Sequence, residues 1–381
     1  MNPKNIKPHV AIICNSYPTA KNKTNQIFIK NLVDNLIQQS INPDVYYNLI
    51  FNIWGNANMR KDFISNMIKY SVFLINIFRL FCRIKSYNIL NPHGVMLSGF
   101  FAILLKRLFK IPVVLHIHGG DLNLFKSSTA LYRKIYKSTI YNSDFIIVNS
   151  LNIKKELLAL IKTNSNKVEV ISPGINYNKF YSLDYNQINN FKNSYKIDKD
   201  KIILLFAGNA IKRKGLDIFI NAIKKLNIEY LNKIYIIVCS DGPEIIKLKN
   251  DIKNIYGLKD SFKYLKKVEQ NELNILYNIA TLFIFPSREE PLGLVGLEAI
   301  ATGTPVIGSN IGGIREYINK NNGYLFNPNS PKELSEIIAT LIDKPQLIEL
   351  LTKNIVKRYR DHDINISTKK IIGIFTNLKK S

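Results

Sequence analysis

The chain has 381 residues, of which 46% are hydrophobic and 21% charged, a balance typical of a globular protein with two domains of roughly 150 residues or more each. Its longest apolar runs, Tyr70–Phe78 and Val95–Leu105, are shorter than the ~20 residues of a spanning helix, and Met1–Pro8 is too polar for a secretory signal, so we expect no integral or exported protein. The formal charge is +25, of which +16 lies in residues 1–180, and no nucleic-acid module accompanies it, so an anionic membrane surface is favoured over nucleic acid as partner.

Two further features of composition bear on location. Lys, Asn and Ile are frequent throughout the chain, so compositional bias accounts for part of the positive charge. The three cysteines, Cys14, Cys82 and Cys239, lie far apart and lack metal-ligand spacing. Structural thiols in the reducing cytoplasm are therefore expected rather than disulfides. Within the cytoplasm, we also expect that the protein can attach peripherally to the inner face of the cell membrane.

The first half alternates strand and helix patterns. His9–Asn15 is a short apolar run that predicts a strand, and a helical pattern follows from Ile27 to Ile37. The same alternation continues through a helix at Val95–Phe109 and a strand at Val113–Ile117. A doubly wound α/β domain with a parallel sheet is the predicted fold.

The segment Met67–Lys85 mixes large apolar residues with Lys and Arg. One interpretation is an interfacial helix that lies on a membrane. The other, favoured interpretation is a helix that packs on the first sheet, because its charges interrupt both sides of the apolar stripe.

The four residues from His118 to Asp121, His-Gly-Gly-Asp, follow the predicted strand Val113–Ile117 directly. Ligands of open α/β sheets bind at the carboxyl ends of strands, and two glycines after His118 leave its ring accessible. A lone histidine is usually structural, and His116, one pair deeper in the strand, is expected to belong to the core.

A second series of strands and helices begins after a polar stretch. We predict a first domain at 1–180, a linker at 181–199, a second domain at 200–360 and a C-terminal helix at 361–381. After the strand that ends near Gly208, Lys212, Arg213 and Lys214 precede a helix. Such clusters are often solvated surface, but cations beside a helix N-terminus also make a pyrophosphate site, and Gly215 and the buried strand fix this one in place.

The stretch Phe285–Glu316 concentrates acids, glycines and prolines between apolar runs. It predicts a buried strand, a polar loop and a helix from Leu294 to Gly303, with Gly293 allowing a close backbone approach to a ligand and the first helical amides favouring an anion. Glu290 and Glu298 can then face a polyhydroxylated ligand from one side. A strand, loop and helix with solvated acids is the ordinary alternative.

That stretch resembles the Glu-x7-Glu signature of retaining nucleotide-sugar glycosyltransferases of family 4, which have the GT-B fold, with Leu292 in place of the usual Phe. The matching residues are Pro286, Ser287, Glu290, Pro291, Gly293, Glu298, Ala299, Gly303, Pro305, Val306, Gly312, Gly313 and Glu316. The resemblance extends over nearly the whole chain and is most specific from Gly208 to Glu316. It implies two Rossmann-like domains that face a cleft, and a C-terminal helix that returns to the first domain.

The resemblance also implies the site. Glu298 would hold the ribose hydroxyls, while Glu290 and the backbone of Leu292, Gly293 and Leu294 would hold the sugar and phosphate. Arg213 and Lys214, with Gly208 at the end of the preceding strand, would bind the diphosphate.

In the first domain, His118 would position the reacting ring and Asp121 would lie on the acceptor side. No metal or other cofactor is expected, because no Asp-x-Asp motif lies among the predicted site residues. The expected partners are a UDP- or GDP-sugar, a glycan or lipid-linked acceptor of a bacterial surface polysaccharide or lipopolysaccharide, and an anionic membrane.

Two other functions are compatible with a doubly wound fold. A nicotinamide-dependent dehydrogenase ranks low, because no first-domain strand is followed by Gly-x-Gly-x-x-Gly with an acid ~20 residues on. A non-catalytic sugar- or polyanion-binding protein of the same fold is the stronger alternative, since Gln26 and Asn209 replace a family Gly and Arg. The sequence leaves the sugar, its nucleotide and the acceptor open.

Overall fold

The computed structural model describes residues 7–18, 26–47, 75–198, 200–253, 255, 258, 261–358 and 362–379. The chain forms two compact units, one from Met1–Gly174 with Ile364–Ser381 and the other from Ile175–Asp363. Each unit contains a six-stranded sheet whose strand pairs are all parallel. The α/β fold class with two doubly wound sheets is thus confirmed.

The first unit has strand order β2-β1-β3-β4-β5-β6. Its strands are β1 Val10–Cys14, β2 Asp44–Tyr47, β3 Ile89–His93, β4 Val114–Ile117, β5 Phe145–Val148 and β6 Val168–Val170. Its helices are α1 Ile27–Gln38, α2 described at 75–83, α3 Phe100–Phe109, α4 Gly120–Ser127, α5 Ala130–Asn142, α6 Leu151–Leu160 and α16 Ile364–Lys379.

Both faces of the first sheet are buried, as its largely apolar strands require. In β1, Val10, Ile12 and Cys14 pack on one side, and Ala11 and Ile13 pack on the other. This alternation is the period of two that a strand imposes on its side chains. Helices therefore cover both faces and leave the ends of the strands for a binding site.

The C-terminal helix α16 completes the core of the first unit. Ile371, Ile374 and Phe375 are buried in the same cluster as Val10 and Ile12 of β1. Beside them, Asn35 of α1 donates a hydrogen bond to the side-chain oxygen of Asn365 at 3.0 Å. The predicted return of this helix to the first unit is confirmed.

The second unit has strand order β12-β11-β10-β7-β8-β9. Its strands are β7 Ile202–Asn209, β8 Ile234–Asp241, β9 Phe262–Leu265, β10 Leu282–Phe285, β11 Val306–Ser309 and β12 Gly323–Phe326. Its helices are α7 Tyr185–Ser194, α8 Leu216–Ile223, α9 Ile228–Leu231, α10 Ile245–Lys253, α11 Gln270–Ile279, α12 Leu294–Ala301, α13 Ile314–Tyr317, α14 Pro331–Asp343 and α15 Pro345–Arg358.

The segment 181–199, predicted as a linker, contains α7, and this helix belongs to the second unit. Asp184 caps it through a full capping box with Gln187. Ile188 and Phe191 pack on the cluster that contains Phe180 and Tyr277. The few apolar residues of this polar stretch therefore lie on one helical face, and the second unit begins at Ile175.

One predicted helix differs in detail from the structure, and another lies partly outside the described residues. The helix predicted from Val95 begins with a π-helical turn, Val95–Gly99, before α3. A Cβ at Gly99 would lie 2.8 Å from a methyl carbon of Thr139 on α5, so the wide turn accommodates close packing of α5. Of the interfacial candidate Met67–Lys85, residues 67–74 lie outside the described residues.

Candidate functional site

The loops after β7 and β10 meet at the point where the strand order of the second sheet reverses. β7 and β10 are hydrogen-bonded neighbours, with Leu204 opposite Leu282, and the chain winds outward from them in both directions. The crevice outside the carboxyl ends of two such strands is where open α/β sheets bind ligands. The predicted cation loop and the predicted Glu290 loop therefore lie side by side.

Gly215 allows these two loops to touch. It ends the 3₁₀ turn Lys212–Lys214 with a φ of +70°, and a Cβ there would lie 1.8 Å from the carbonyl oxygen of Pro286. Any other residue would push the loops apart, because both the conformation and the space require glycine. Gly215 was expected to fix the cation loop, and this contact explains how.

Arg288 ties the two loops together, and sequence reasoning missed it. Its guanidinium donates to both carboxylate oxygens of Asp217 at 2.7 Å and to the carbonyl oxygen of Lys212 at 2.8 Å. Its backbone N–H donates to the carbonyl oxygen of Arg213 at 2.8 Å. The hydrogen bonds from Arg288 lower the pKa of Asp217, which keeps this bidentate pair ionised at neutral pH.

Lys214 and Glu290 form an ion pair across the two loops. Their side chains are only 17% and 9% exposed, and Ser287 donates a longer hydrogen bond, 3.5 Å, to the same carboxylate. The ammonium group also lies 5.8 Å from the ring centre of Phe285. The structure thus brings together two of the predicted site residues, with a positive and a negative group at one largely buried point.

Arg213 lies beside this pair but is exposed to solvent. Its guanidinium donates a hydrogen bond to the carbonyl oxygen of Glu289 at 3.2 Å. Arg213 and Lys214 are consecutive in the turn, so their charges sit over the same end of the sheet. The predicted pair of cations is therefore present at the switch point.

The loop between Glu290 and α12 is fixed from behind by the Gly312-Gly313 pair. The N–H of Gly313 donates to the carbonyl oxygen of Glu290 at 3.1 Å, and a Cβ on Gly312 would lie 2.1 Å from that oxygen. Tyr317 donates from its hydroxyl to the carbonyl oxygen of Gly293 at 2.8 Å. Both ends of the loop are thus tied to the segment around α13.

The start of α12 has no side-chain cap. Gly293 precedes the helix with a φ of +92°, and no side-chain hydrogen bond caps the helix there. Leu292 is 4% exposed and packs in the core, so its part in the site is limited to its backbone. Leu294, half-buried, is the first residue of the helix. An uncapped helix start is suited to an anionic group.

Glu298 lies one helical turn inside α12 and is 8% exposed. Burial raises the pKa of its carboxyl group to about 7, although the hydroxyl of Tyr277 donates a hydrogen bond to it at 3.1 Å and lowers it. Tyr277, on α11, was not predicted. An aromatic residue on an amphipathic helix gives no signal that its hydroxyl end meets an acid 21 residues later.

Gly208 lies near the end of β7, beside Ser240 of β8. The Ser240 hydroxyl donates to the carbonyl oxygen of Gly208 at 2.6 Å. A Cβ at Gly208 would have one atom, a ring carbon of Phe206 at 3.9 Å, within 4 Å. The space above this residue is therefore open. Asn209, which replaces the family arginine, is the last residue of β7 and is exposed.

In the first unit, His118 follows β4 at the carboxyl end of its sheet, as predicted. Its backbone N–H donates to Asp121 at 3.2 Å, and the other oxygen of Asp121 accepts from the N–H of Val95 at 3.0 Å. Asp121 thus fixes the loop that carries His118. Its role toward an acceptor stays a prediction.

Two partners of the His118 ring were missed by the sequence analysis. His93 Nδ1 lies 3.0 Å from His118 Nε2, and the side-chain nitrogen of Asn149 lies 3.2 Å from His118 Nδ1. His93 ends β3 and Asn149 follows β5, which are the strands on either side of β4. The rule that selected His118, a polar residue at the carboxyl end of a strand, applies equally to His93 and Asn149.

His116, expected in the core, is 4% exposed and stacks on His93, with 4.3 Å between ring centres. The ligand atoms of His93, His116 and His118 all lie within 4.8 Å of one another, a spacing that a metal ion could span. The hydrogen bond between His93 and His118 instead directs one ring nitrogen of each at the other.

Gln26 lies at the start of α1, where family members often have glycine. Its φ of 45° and ψ of 41° are left-handed, a conformation that costs roughly 1 kcal/mol for a residue with a Cβ. The substitution therefore keeps the backbone conformation of a glycine while adding a side chain.

Two family models match this chain, and together they cover most of it. Residues 26–179 match the model for Glycosyltransferase Family 4, and residues 187–358 match the model for Glycosyl transferases group 1. All of the predicted site residues lie inside these two ranges.

The chain is similar to curated glycosyltransferases. It is 28% identical to an uncharacterized glycosyltransferase of Methanocaldococcus jannaschii over 300 residues, which cover 77% of this chain and 76% of that protein. It is also 28% identical to the N-acetyl-alpha-D-glucosaminyl L-malate synthase of Bacillus anthracis over 244 residues, which cover 63% of this chain and 61% of the synthase.

Among solved structures, the fold is similar to that of HepE from Anabaena in complex with UDP. The TM-score is 0.77, and the match covers 97% of this chain and all of that one. At 16% sequence identity this likeness concerns the fold.

Replacing Glu298 by Gln should change how stability depends on pH. The carboxyl group has a pKa of about 7 when folded against a model value of 4.5, so the folded state binds the proton more tightly. The free energy of unfolding contributed by Glu298 is then fully present below pH 4.5 and is lost as the pH rises to about 7. Relative to wild type, the free energy of unfolding of Glu298→Gln should therefore rise by up to about 3 kcal/mol as the pH increases from 4.5 to about 7.

Urea unfolding of the full-length variant and of wild type, carried out between pH 4.5 and 8, measures this difference in the free energy of unfolding. The matched control is Glu336→Gln, whose side chain is 63% exposed and which should show no comparable trend. A difference between Glu298→Gln and wild type that stays constant with pH would contradict the burial argument.

Proposed function

This chain belongs to glycosyltransferase family 4 and has the GT-B fold, and from that premise we propose that it transfers a hexose from a nucleotide-sugar donor to a hydroxyl group with retention at the anomeric carbon. The observation that carries the proposal is the Lys214–Glu290 pair beside Arg213 at the switch point of the second sheet. A cation pair and an acid at one point match the two parts of such a donor, its diphosphate and its sugar.

The diphosphate of the donor would lie over the cation turn. Arg213, which is exposed, would exchange its hydrogen bond to the Glu289 carbonyl for one to a phosphate from the solvent side, while Lys214 would reach the phosphate from the protein side. The amides at the uncapped start of α12 would add neutral donors. Together these groups stabilise the negative charge that grows on the departing diphosphate as the sugar becomes oxocarbenium-like, and they do so without a metal ion.

The two acids would have different tasks. Glu298 is held by Tyr277 and would accept hydrogen bonds from the ribose hydroxyls, which are constant in the reaction. Glu290 would give up part of its ion pair with Lys214 and accept hydrogen bonds from hydroxyl groups of the reacting sugar. Because the ion pair is mostly buried, approach of the diphosphate to Lys214 weakens its hold on Glu290, which couples phosphate binding to sugar recognition.

In the first unit, His118 would position the reacting ring and Asp121 would hold its loop. HepE from Anabaena has been solved with UDP, which supports a uridine donor, although a guanosine donor fits the same contacts. The N-acetyl-alpha-D-glucosaminyl L-malate synthase of Bacillus anthracis is named for a small hydroxy acid, so an acceptor hydroxyl on a small molecule stands beside a lipid-linked glycan or lipopolysaccharide core as an acceptor to be tested.

A second candidate function is non-catalytic binding of a sugar or polyanion. Asn209 removes the charge that many family members place at the end of β7, and Gln26 adds a side chain where they have none. Donor hydrolysis separates the two functions, because a binding protein would retain the nucleotide sugar intact.

Two helices of the first unit suggest which surface of the protein would contact a membrane that holds the acceptor. Exposed apolar side chains form one face of α2, Ile75, Phe78 and Phe81, at 57%, 66% and 49% exposure. A second stripe on α3 follows the spacing i, i+4, i+8 and consists of Phe100, Leu104 and Leu108. Phe81 also contacts Phe109 of α3, with 5.5 Å between ring centres, so the two helices are neighbours.

The residues around these stripes are basic. Arg79 and Lys85 flank the stripe of α2, and Arg107 and Lys110 flank that of α3, all exposed. Apolar groups bordered by cations are suited to the interface of an anionic bilayer, where each nearby cation contributes about 1 kcal/mol. Of the helices that the structure describes, none is long and apolar enough to cross a membrane. We therefore propose peripheral docking through α2 and α3 on the cytoplasmic face.

The first experiment tests the donor site with Glu298→Ala and Glu290→Gln. Loss of the ribose contacts should weaken donor binding about tenfold or more, whereas loss of the Glu290 charge should lower kcat more than KM. Calorimetry with UDP- and GDP-sugars gives the first quantity and donor turnover the second. Exposed Glu336→Gln is the control, and unchanged values in both site variants would refute the assignment.

The second experiment tests the cation turn. Arg213→Ala and Lys214→Met should each lower kcat by ~10²–10³, equivalent to about 3–4 kcal/mol of transition-state stabilisation. Lys212→Ala removes the same charge from the same turn and should cost at most a few-fold. Activity should persist in EDTA. If EDTA abolished it and Mg²⁺ or Mn²⁺ restored it, a metal ion rather than this turn would be the main stabiliser.

The third experiment tests docking by sedimentation with vesicles of phosphatidylglycerol and phosphatidylethanolamine. Wild type should bind, and binding should weaken as salt shortens the screening length from ~10 Å at 0.1 M to ~3 Å at 1 M. The pair Phe78→Glu and Leu108→Glu should abolish binding, whereas Leu350→Glu, exposed on the second unit, should not. Binding that is equal on neutral vesicles or indifferent to salt would contradict the model, and absence of binding would favour a soluble acceptor.

A further inference from the structure

The ring of His118 is the open end of a hydrogen-bond chain that begins at a backbone carbonyl. Asn91 Nδ2 lies 2.6 Å from the carbonyl oxygen of Val114, and a carbonyl can only accept. The amide nitrogen of Asn91 therefore faces Val114, and its oxygen faces His93 Nε2 at 3.3 Å. That oxygen can only accept, so His93 carries its proton on Nε2.

The direction of the chain then passes to His118. With Nε2 protonated, Nδ1 of a neutral His93 is an acceptor, and it lies 3.0 Å from His118 Nε2. The two rings are nearly coplanar, with 15° between their planes and 5.1 Å between their centres, as an in-plane N–H···N bond requires. His118 therefore donates from Nε2 and keeps a lone pair on Nδ1.

This assignment needs neutral rings, and the surroundings keep them neutral. Burial, with the neighbouring His116 and His118, holds the pKa of His93 well below its usual range. Burial also lowers the pKa of His118, against the opposing influence of Asp121. His93 is 3% exposed and Asn91 fully buried, whereas His118 and Asn149 are half-buried, so the chain runs from the core toward solvent.

We propose that His93 is a positioning residue that locks His118 in its Nε2–H tautomer, so that Nδ1 accepts a hydrogen bond from a hydroxyl group of the bound sugar. Asn149 Nδ2, 3.2 Å away, occupies that lone pair in the structure and is the partner that the hydroxyl would replace. The part of this inference that concerns the sugar rests on the proposed function. The tautomer itself rests on the hydrogen-bond chain alone.

The same three histidines could be taken for a metal site, but their arrangement favours the hydrogen-bond chain. Imidazole ligands of zinc converge on an ion at 2.0–2.1 Å. Here two near-coplanar rings aim their nitrogens at each other across 3.0 Å, so a shared proton fits between them and a metal ion does not. Zinc binding is thus an outcome against which the proposal is tested.

The spectroscopic test uses full-length protein with ¹⁵N-labelled histidine. Long-range ¹H–¹⁵N spectra at pH 7 should show His118 with a protonated Nε2 and an unprotonated Nδ1. His93→Asn places an amide oxygen near the former Nδ1 and should keep this pattern, whereas His93→Leu, of similar size, offers no acceptor and should shift His118 toward the other tautomer. A wild-type spectrum with Nδ1 protonated would overturn the proposal, as would a spectrum altered by one equivalent of Zn²⁺ and restored by EDTA.

The kinetic test uses the same variants with a UDP- or GDP-sugar. His93→Leu should lower kcat about tenfold, the value of one lost hydrogen bond, with little change in donor KM. His93→Asn should recover to within about threefold of wild type. The control is His9→Leu, a ring that precedes β1 at the amino end of the sheet, whereas His93 and His118 lie at the carboxyl end; it should leave kcat unchanged.

The outcomes separate the two proposals. Equal losses in His93→Leu and His93→Asn would indicate a packing role and overturn the inference, and so would wild-type kcat in both. If wild type turned over no nucleotide sugar, the proposed function would fail while the tautomer spectra still decided the role of His93. If His93→Leu failed to fold, the wild-type and His93→Asn spectra would decide it.

Discussion

The contact between the cation turn and the Glu290 loop is the constraint on which the second unit's site depends. Gly215 allows the backbone of one loop to rest on the carbonyl of Pro286, and Arg288 joins the loops through Asp217 and two backbone groups. Only with the loops held this close can Lys214 reach Glu290. The ion pair therefore follows from glycine sterics and one bidentate arginine.

The elements that the sequence predicted depend on local patterns. Apolar runs predicted strands such as β1 and β4, helical spacing predicted α1 and α12, and the family resemblance implied α16. Helix α7 was not predicted, because Ile188 and Phe191 are the residues of this helix that pack on the core and its other residues have the composition of a polar linker. Its stability depends on a capping box and on a distant apolar surface, and neither is visible in a hydrophobicity pattern.

The predicted site residues were those that a motif or a strand end marks. The residues that were missed act through partners far away in sequence. Arg288 lies 71 positions from Asp217, and His93 lies 25 from His118. A sequence shows that such a residue is polar but not which group it will meet. The same limit hid Tyr277, whose hydroxyl donates a hydrogen bond to the buried carboxyl group of Glu298.

The two sheets carry different chemistry at the carboxyl ends of their strands. The carboxyl end of the second sheet holds fixed charges, Arg213, Lys214 and Glu290, and hydrogen bonds made by charged groups are stronger than those between neutral groups. The carboxyl end of the first sheet around His118 holds neutral rings and amides whose donors and acceptors are ordered by a single carbonyl. Hydroxyl groups are recognised by such direction rather than by charge. Burial serves both ends, since it strengthens the ion pair in one and keeps the imidazoles neutral in the other.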